Sequence, residues 1–293
     1  MLLGCENVFG DVPDIVKSLL GIEVSESQVY RTCQAVSSQL LDTELDSPNE
    51  DLLSIVEDVS RQVYGMVDGS MLPTDDGWQE TKVGRVFAAS VLGSIEPLKW
   101  QMGTSQYVAH RGHYEAFTEK FERLLPPNSS SEKVFITDGA LWIGKWLWQT
   151  YPQATHILDF FHVCEKLSMA AQRAKNPALW LKEQKEYLLE GQHKKVYKAV
   201  EELGNKTTDE QRQLLNYLKV NAYRMQYDEY RQKGFMISSG PIESAHRTVL
   251  QVRMKRSGQR WSNGGCDNMI KLRVAYRSHK FFLVTDILKK MSA

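Results

Sequence analysis

Residues 133–163, KVFITDGALWIGKWLWQTYPQATHILDFFHV, contain two short apolar runs that each end on an aspartate, Asp138 and Asp159, with a tryptophan-rich helical stretch between them. Val134, Phe135 and Ile136 form a continuous β-favouring run of the kind a strand buried on both faces shows. Ile157 and Leu158 repeat it after the turn at Tyr151, Pro152 and Gln153. An α/β sheet presents its chemistry at the carboxyl ends of its strands, so the two aspartates are predicted on one edge, a strand-helix-strand unit apart. Taken singly, an aspartate in such a place is more often a helix cap or turn former.

Upstream, residues 63–69 (VYGMVDG) alternate as a strand and end on a third acid, Asp68. Residues 81–90 and 106–109 read as further strands separated by a turn-rich stretch, 92–103. An amphipathic helix follows over 113–125 with Phe117, Phe121 and Leu124 on its apolar face, and then a plain loop, 126–131. Three strands, a helix, a strand, a helix and a strand is the order of a ribonuclease-H-like mixed sheet. In that order the first strand lies centrally and Asp68 neighbours Asp138.

Downstream, residues 165–237 turn wholly helical, with breaks at Asn176-Pro177, Gly191 and Gly204-Asn205-Lys206-Thr207, and are expected to form an all-α insertion of three or four helices. The loop Ser238-Ser239-Gly240-Pro241 leads into a helix at Ile242 that carries Glu243 in its first turn. Helical spacing puts Ala245, Val249 and Val252 inward and leaves Arg247, Gln251, Arg253 and Lys255 on the other side.

The amino-terminal residues 12–40 read as two helices. Pro13 opens the first, Ile15, Val16, Leu19 and Leu20 give it an apolar stripe, and Gly21 stops it. Ser25 to Gln28 resembles a capping box opening the second, which carries Val29, Cys33 and Val36 on one face. This is compatible with a helix-turn-helix, and equally with an αα-hairpin that touches no DNA.

The 293 residues carry 36 basic and 36 acidic side chains, yet the charge is sorted by region. Residues 41–60 hold seven acids (Asp42, Glu44, Asp46, Glu50, Asp51, Glu57, Asp58) and no Lys or Arg, which reads as a solvated linker. Residues 244–280 hold nine basic residues (Arg247, Arg253, Lys255, Arg256, Arg260, Lys271, Arg273, Arg277, Lys280) against Asp267 alone, a stretch suited to a polyanion or to a soluble helix face. No apolar run approaches the roughly 18–20 residues of a membrane span, and no basic-then-apolar leader is present. Cys5, Cys33, Cys164 and Cys266 form no zinc spacing and are expected as reduced thiols in a cytoplasm.

The blocks VDGSMLPTDDGWQETKVGRVF, ITDGALWIGKW, YPQATHILDFFHVCEKL, NAYRMQYDEYRQKG, SSGPIESAHRTVLQVRMKRSGQRWS and NMIKLRVAYRS resemble those of insertion-sequence transposases of the ISKra family, over about residues 12–277. The resemblance implies a DDE enzyme with a ribonuclease-H-like core and a helical insertion before the last acid. Its catalytic triad would be Asp68, Asp138 and Glu243, holding two Mg²⁺ ions for which Mn²⁺ substitutes. Asp159 and His162 match a (C/D)xxH signature and would support the site. The implied division is 1–40, a helical DNA-binding segment; 41–62, an acidic linker or helix; 63–164, the first part of the core; 165–237, the insertion; and 238–293, the rest of the core with a basic face.

The implied reaction is cleavage and strand transfer of double-stranded DNA at element ends and target, by a homo-oligomer acting in the cytoplasm on the nucleoid. Arg247, Arg253, Lys255, Arg256, Arg260 and Trp261 would face the DNA backbone. Trp78, Trp142 and Trp261 are read either as lining the DNA path or as core. Family members carry further residues ahead of the point matching Met1, so end recognition is expected to be impaired here. The competing expectation is a silent or domesticated remnant that only binds DNA. A two-carboxylate glycosidase is the weaker third, disfavoured by the basic stretch.

Overall fold

The computed structural model describes residues 1–50, 52–53, 62–92, 99–125, 131–203 and 208–292. A long hairpin is its frame. Strand β1 (Gln62–Thr74) runs through the turn at Asp75 and Asp76 into β2 (Gly77–Leu92), paired in antiparallel register from Thr74↔Gly77 back to Gln62↔Ala89. Gly77 takes φ +94°, a conformation that side-chain-bearing residues rarely adopt, and so closes the turn. The outer edge of β2 carries β3 (Lys99–Met102) and β4 (Gln106–Arg111), both antiparallel to it. On the other side of β1 lie β5 (Lys133–Thr137) and then β6 (Thr155–Leu158), both parallel. The order across this mixed sheet is β3–β2–β1–β5–β6, with β4 also on β2. The first strand is therefore central.

Strand β3 falls in the stretch that reads as turn-rich. Four residues at an edge gain their extended form from pairing with β2, which local pattern does not report.

Alternation sorts the side chains onto two faces. Val63, Val67 and Phe135 face one layer, made by α5 (Tyr114–Leu124) and α6 (Leu141–Thr150), with Phe117, Phe121, Ile143, Trp146 and Leu147 as its core. Tyr64, Met66, Val134 and Ile136 face the other layer, which is continuous with the amino-terminal, central and carboxyl-terminal helices. Val134, Phe135 and Ile136 are fully buried, as a strand covered on both sides requires.

After β6 the chain enters α7 (Phe160–Ala171) directly, so the sequence division at 164/165 lies within one helix. Helices α8 (Pro177–Leu189), α9 (His193–Glu202), α10 (Asp209–Val220) and α11 (Tyr227–Gln232) follow. Asn176 caps α8 through Leu179 N–H; the expected break at 204–207 lies outside the described residues.

The chain returns through α12 (Gly240–Ala245), a π-helical turn (His246–Gln251), α13 (Val252–Met254), α14 (Asn263–Arg277) and α15 (Phe281–Ser292). No described helix is long and apolar enough to cross a membrane. All four cysteines are buried and unpaired.

At the amino terminus, α1 (Leu2–Glu6) precedes α2 (Val12–Leu20) and α3 (Glu26–Ser37), the last with the capping box that Ser25 and Gln28 suggest. Cys5, Cys33, Val36 and Leu40 join the same core as α14, while Leu19 and Leu20 are exposed.

The solvated-linker expectation for 41–60 is corrected where the chain is described. Leu45, in α4 (Asp42–Leu45), is buried, and Asp46 is buried against Arg123 at 2.9 Å. Asp42 pairs with Lys120 at 2.8 Å and Lys271 at 3.4 Å. Asp42 and Asp46 meet cations from two other elements, which a count along the sequence cannot register, while Glu44 and Glu50 are exposed. Asp51, Glu57 and Asp58 lie outside the described residues.

Candidate active site

The site begins with backbone register. Val67 pairs with Thr137 and Thr137 with Leu158, so Asp68, Asp138 and Asp159 each stand one residue beyond a paired position on three adjacent parallel strands. Asp159 N–H also donates to Thr137 O at 2.9 Å. This places Asp68 beside Asp138 at the carboxyl end of β5; β1 itself does not end on Asp68 as its sequence suggests but runs on to Thr74 in the hairpin with β2.

Their electrostatics agree. Burial pushes the Asp138 carboxyl up, and the charge of Asp68 adds to it. Burial pushes Asp68 up too, but His246 and the Gly69 N–H, at 2.7 Å from Oδ1, outweigh it and leave Asp68 below its ordinary value. Asp138 Oδ1 accepts from Ala140 N–H at 3.0 Å, shaping the loop that leads into α6.

Glu243 stands in the first turn of α12, exposed. It lines a cavity of about 500 Å³ together with Asp68, Gly69, Ser70, His246, Arg247 and Gln251. Asp138 is not in that lining. Among the described residues, no three acidic, His or Cys side chains are gathered closely enough to hold a metal ion. The donor chemistry of Asp68 and Asp138, hard carboxylate oxygens on adjacent strands with the charge of Asp68 raising the cost of ionising Asp138, fits a hard dication.

Asp159 is wholly buried and acts as a clamp. It accepts from Phe161 N–H at 3.0 Å and His162 N–H at 3.3 Å, capping α7, and from Ser239 N–H at 2.9 Å and Ser239 Oγ at 2.6 Å. Ser239 immediately precedes α12, so the carboxylate ties the end of β6 to the segment carrying Glu243. The His162 ring bonds the same carboxylate through Nδ1. That hydrogen bond, helped by the charges of Asp159, Asp68 and Asp138 against burial, raises the His162 imidazole to about 9. It is therefore an imidazolium at neutral pH, close enough to both site aspartates to feel their charge.

Four contributors are not singled out by sequence reasoning. His246, buried on the π turn, places Nε2 at 3.2 Å from Asp68 Oδ2, off the line of a good hydrogen bond. Its spacing of three from Glu243 on one helix was a usable signal. Arg85 on β2 donates to Pro241 O at 2.6 Å and to Ser105 Oγ at 2.7 Å, pinning the start of α12. Arg224 is buried and donates to Thr137 Oγ1 at 2.5 Å and to the carbonyls of Thr137, Asp138 and Ile157 at 3.3–3.4 Å, bracing the ends of β5 and β6. Ser239 is the fourth. The site partners of the two arginines lie far along the chain, 156 residues from Arg85 to Pro241 and 67 to 87 from Arg224 to Ile157, Asp138 and Thr137, beyond any local pattern.

The basic face departs from expectation at Arg253 and Trp261. Arg253 is fully buried, donates to Gly4 O at 3.2 Å and lies over the rings of Phe9 and Trp261. Trp261 is buried too and donates to Met254 O at 3.1 Å. Neither side chain faces solvent. Arg253 stands four residues after Val249 on the buried side of its helix, while Val252 is exposed.

Arg247, Arg256 and Arg260 are exposed, and Lys255 Nζ donates to Ser70 Oγ at 2.7 Å beside the cavity. Arg273 and Lys280 are buried, while Arg277 pairs with Glu6 at 3.1 Å. Trp78 is exposed, whereas Trp142 packs on Tyr114 and Phe117. A scan of protein-family models and a search of curated proteins returned no match to the chain.

Proposed function

We propose that the chain is a DDE transposase with a ribonuclease-H-like core, acting on double-stranded DNA at element ends and at target sites as a homo-oligomer. The observation that carries the reading is the placement of Asp68, midway along a central first strand, beside Asp138 at the carboxyl end of the adjacent parallel strand, with Glu243 lining one cavity with Asp68. Active sites of open α/β sheets lie at that edge.

Asp68, Asp138 and Glu243 would hold Mg²⁺, with Mn²⁺ as substitute. When bound, two such ions supply activation of a water or a 3′-hydroxyl and charge stabilisation at the leaving oxygen. The chain's own residues do the rest. Asp68 and Asp138 are fixed by their strands and by the N–H groups of Gly69 and Ala140. Arg85 and the Asp159–Ser239 pair hold α12 so that Glu243 opens onto the cavity. Arg247, in the same lining, supplies positive charge for a phosphate, and the exposed Arg256 and Arg260 extend it. His162 as an imidazolium offsets part of the crowded negative charge when no phosphate or cation is near.

The test is an in vitro cleavage and strand-transfer assay on DNA from the ends of the encoding element, with Mg²⁺ or Mn²⁺. Metal-dependent nicking and joining in the wild type is expected to fall by at least about 10³-fold in Asp68→Asn, Asp138→Asn and Glu243→Gln, with the fold and DNA binding retained. A wild type that binds those ends but never cuts them, even with Mn²⁺, would instead establish a DNA-binding remnant.

A further inference from the structure

Next to the Asp138 loop is a second cavity, of about 250 Å³, walled by Gly139 and Ala140, by α6, and by the 3₁₀ turn Ala222–Arg224 that follows α10. Its rim is aromatic and open. Trp148, on α6, is 67% exposed and Tyr223, on the 3₁₀ turn, 56%, and Leu141 is 77% exposed. Tryptophan is on average a well-buried side chain, so this degree of exposure calls for a reason. The core does not supply one, because Ile143, Trp146 and Leu147 already bury the opposite face of α6.

Leu141, Lys145 and Trp148 recur at helical spacing and form one outward stripe. The charged side chains of the lining are Lys145 and Arg224, with no carboxylate. The Arg224 guanidinium is turned onto main-chain carbonyls. Lys145 is exposed and has no ion-pair partner among the described residues, so it is the cation this rim offers to solvent.

We propose that this cavity receives one unpaired nucleotide of the DNA strand processed at Asp138, its base stacked on Trp148 and Tyr223 and its phosphate met by Lys145. The assignment rests on the transposase reading for the identity of the strand. Aromatic faces beside a lone cation and no carboxylate are the elements by which single-stranded nucleic acid is held without regard to sequence. The shared wall of Gly139 and Ala140 makes the position continuous with the catalytic edge. Such a pocket favours DNA whose end is frayed or unpaired, because stacking offsets the cost of taking the base out of the duplex.

The test measures binding by fluorescence anisotropy, using the full chain in EDTA, a labelled oligothymidine and a blunt duplex of equal length. Trp148→Ala and Tyr223→Ala are each expected to weaken oligothymidine binding roughly tenfold and leave duplex binding unchanged, with Trp148→Phe retaining most of the affinity. Thermal melts of these exposed-site variants should match the wild type. Unchanged oligothymidine affinity in the alanine variants overturns the proposal. So does a wild type that does not bind oligothymidine, or sedimentation showing that Trp148→Ala only dissociates an oligomer. Binding is read without metal, so Trp148-dependent binding by a protein that never cleaves DNA would overturn the transposase reading alone.

Discussion

The imidazole of His162 shows how one side chain links the fold to its candidate chemistry. Its Nδ1 bonds the buried carboxylate of Asp159, which also caps α7 and holds Ser239 at the entrance to α12. The pairing lifts His162 from its ordinary 6.5 to about 9. A group whose folded-state value is raised contributes stability that is complete below the unfolded value, here pH 6.5, and is lost as pH rises through about 9. The melting-temperature gap between wild type and His162→Gln is therefore expected to be widest near pH 6 and to close between pH 8 and about 10. A gap that does not vary with pH would show that the ring is held by packing alone. At the same scale, the spacing of Asp159 and His162 was legible in the sequence. The full burial of Asp159 was not, because two of its hydrogen bonds come from Ser239, 80 residues later.

At the scale of elements, the residues 240–254 carry the most chemistry and depart most from a regular pattern. Arg253 follows Ile242, Ala245 and Val249 on the buried face, and Val252 is left exposed. The π turn His246–Gln251 carries His246, whose ring lies beside Asp68. A π turn leaves main-chain carbonyls poorly satisfied within the helix, and Arg273 of α14 takes two of them, Val249 O at 2.9 Å and Thr248 O.

The buried arginines are thus structural; of the exposed ones, Arg256 lies 4.0 Å from Asp11 and Arg260 donates to Asp75 O at 2.9 Å, while Arg247 lines the cavity beside Asp68. Arg253 has Nη1 and Nη2 without hydrogen-bond partners, and burial lowers its guanidinium to about 10. Removing a poorly satisfied buried charge in favour of an apolar side chain of similar length is often neutral or stabilising by about 1–4 kcal/mol. Arg253→Met is accordingly expected to keep or raise the melting temperature and leave DNA affinity unchanged. Arg247→Ala is expected to weaken DNA binding and reduce the salt slope of log K by about one. A salt titration of the two variants checks both, and the opposite order would return Arg253 to the DNA-facing set.

At the scale of the whole molecule, the two ends of the chain are fastened to one another by buried charge. Arg273 is fully buried and donates to Cys5 O at 3.1 Å and to the Glu6 carboxylate, which Arg277 also meets at 3.1 Å. Lys280, likewise buried, donates to Glu44 O at 3.0 Å and Leu45 O at 2.7 Å, and burial lowers its ammonium to about 8. Breaking one partner of such a pair leaves a charge uncompensated. Glu6→Ala is expected to cost about 2–3 kcal/mol, less than for a fully buried pair because the Glu6 side chain is 28% exposed. Urea unfolding measures this, and a change under about 0.5 kcal/mol would mean that the carbonyls alone satisfy Arg273.

The sequence by itself determined the elements with strong local codes. The double-sided burial of 134–136, the Ser25 capping box, the helix of Phe117, Phe121 and Leu124, and the acids at the ends of β5 and β6 all follow from periodicity and capping chemistry. Glu243 in the first turn of a helix was legible in the same way. Tertiary structure alone decided that 99–102 is a strand, that Arg253 and Trp261 turn inward, that the acids Asp42 and Asp46 are docked, and that His246, Arg85 and Arg224 belong to the site. The physical reason is common to these cases. A backbone pattern repeats every two or 3.6 residues and is read locally. An edge pairing, the burial of a basic side chain or the partner of a buried charge is fixed by groups far away in the chain, where no period reaches.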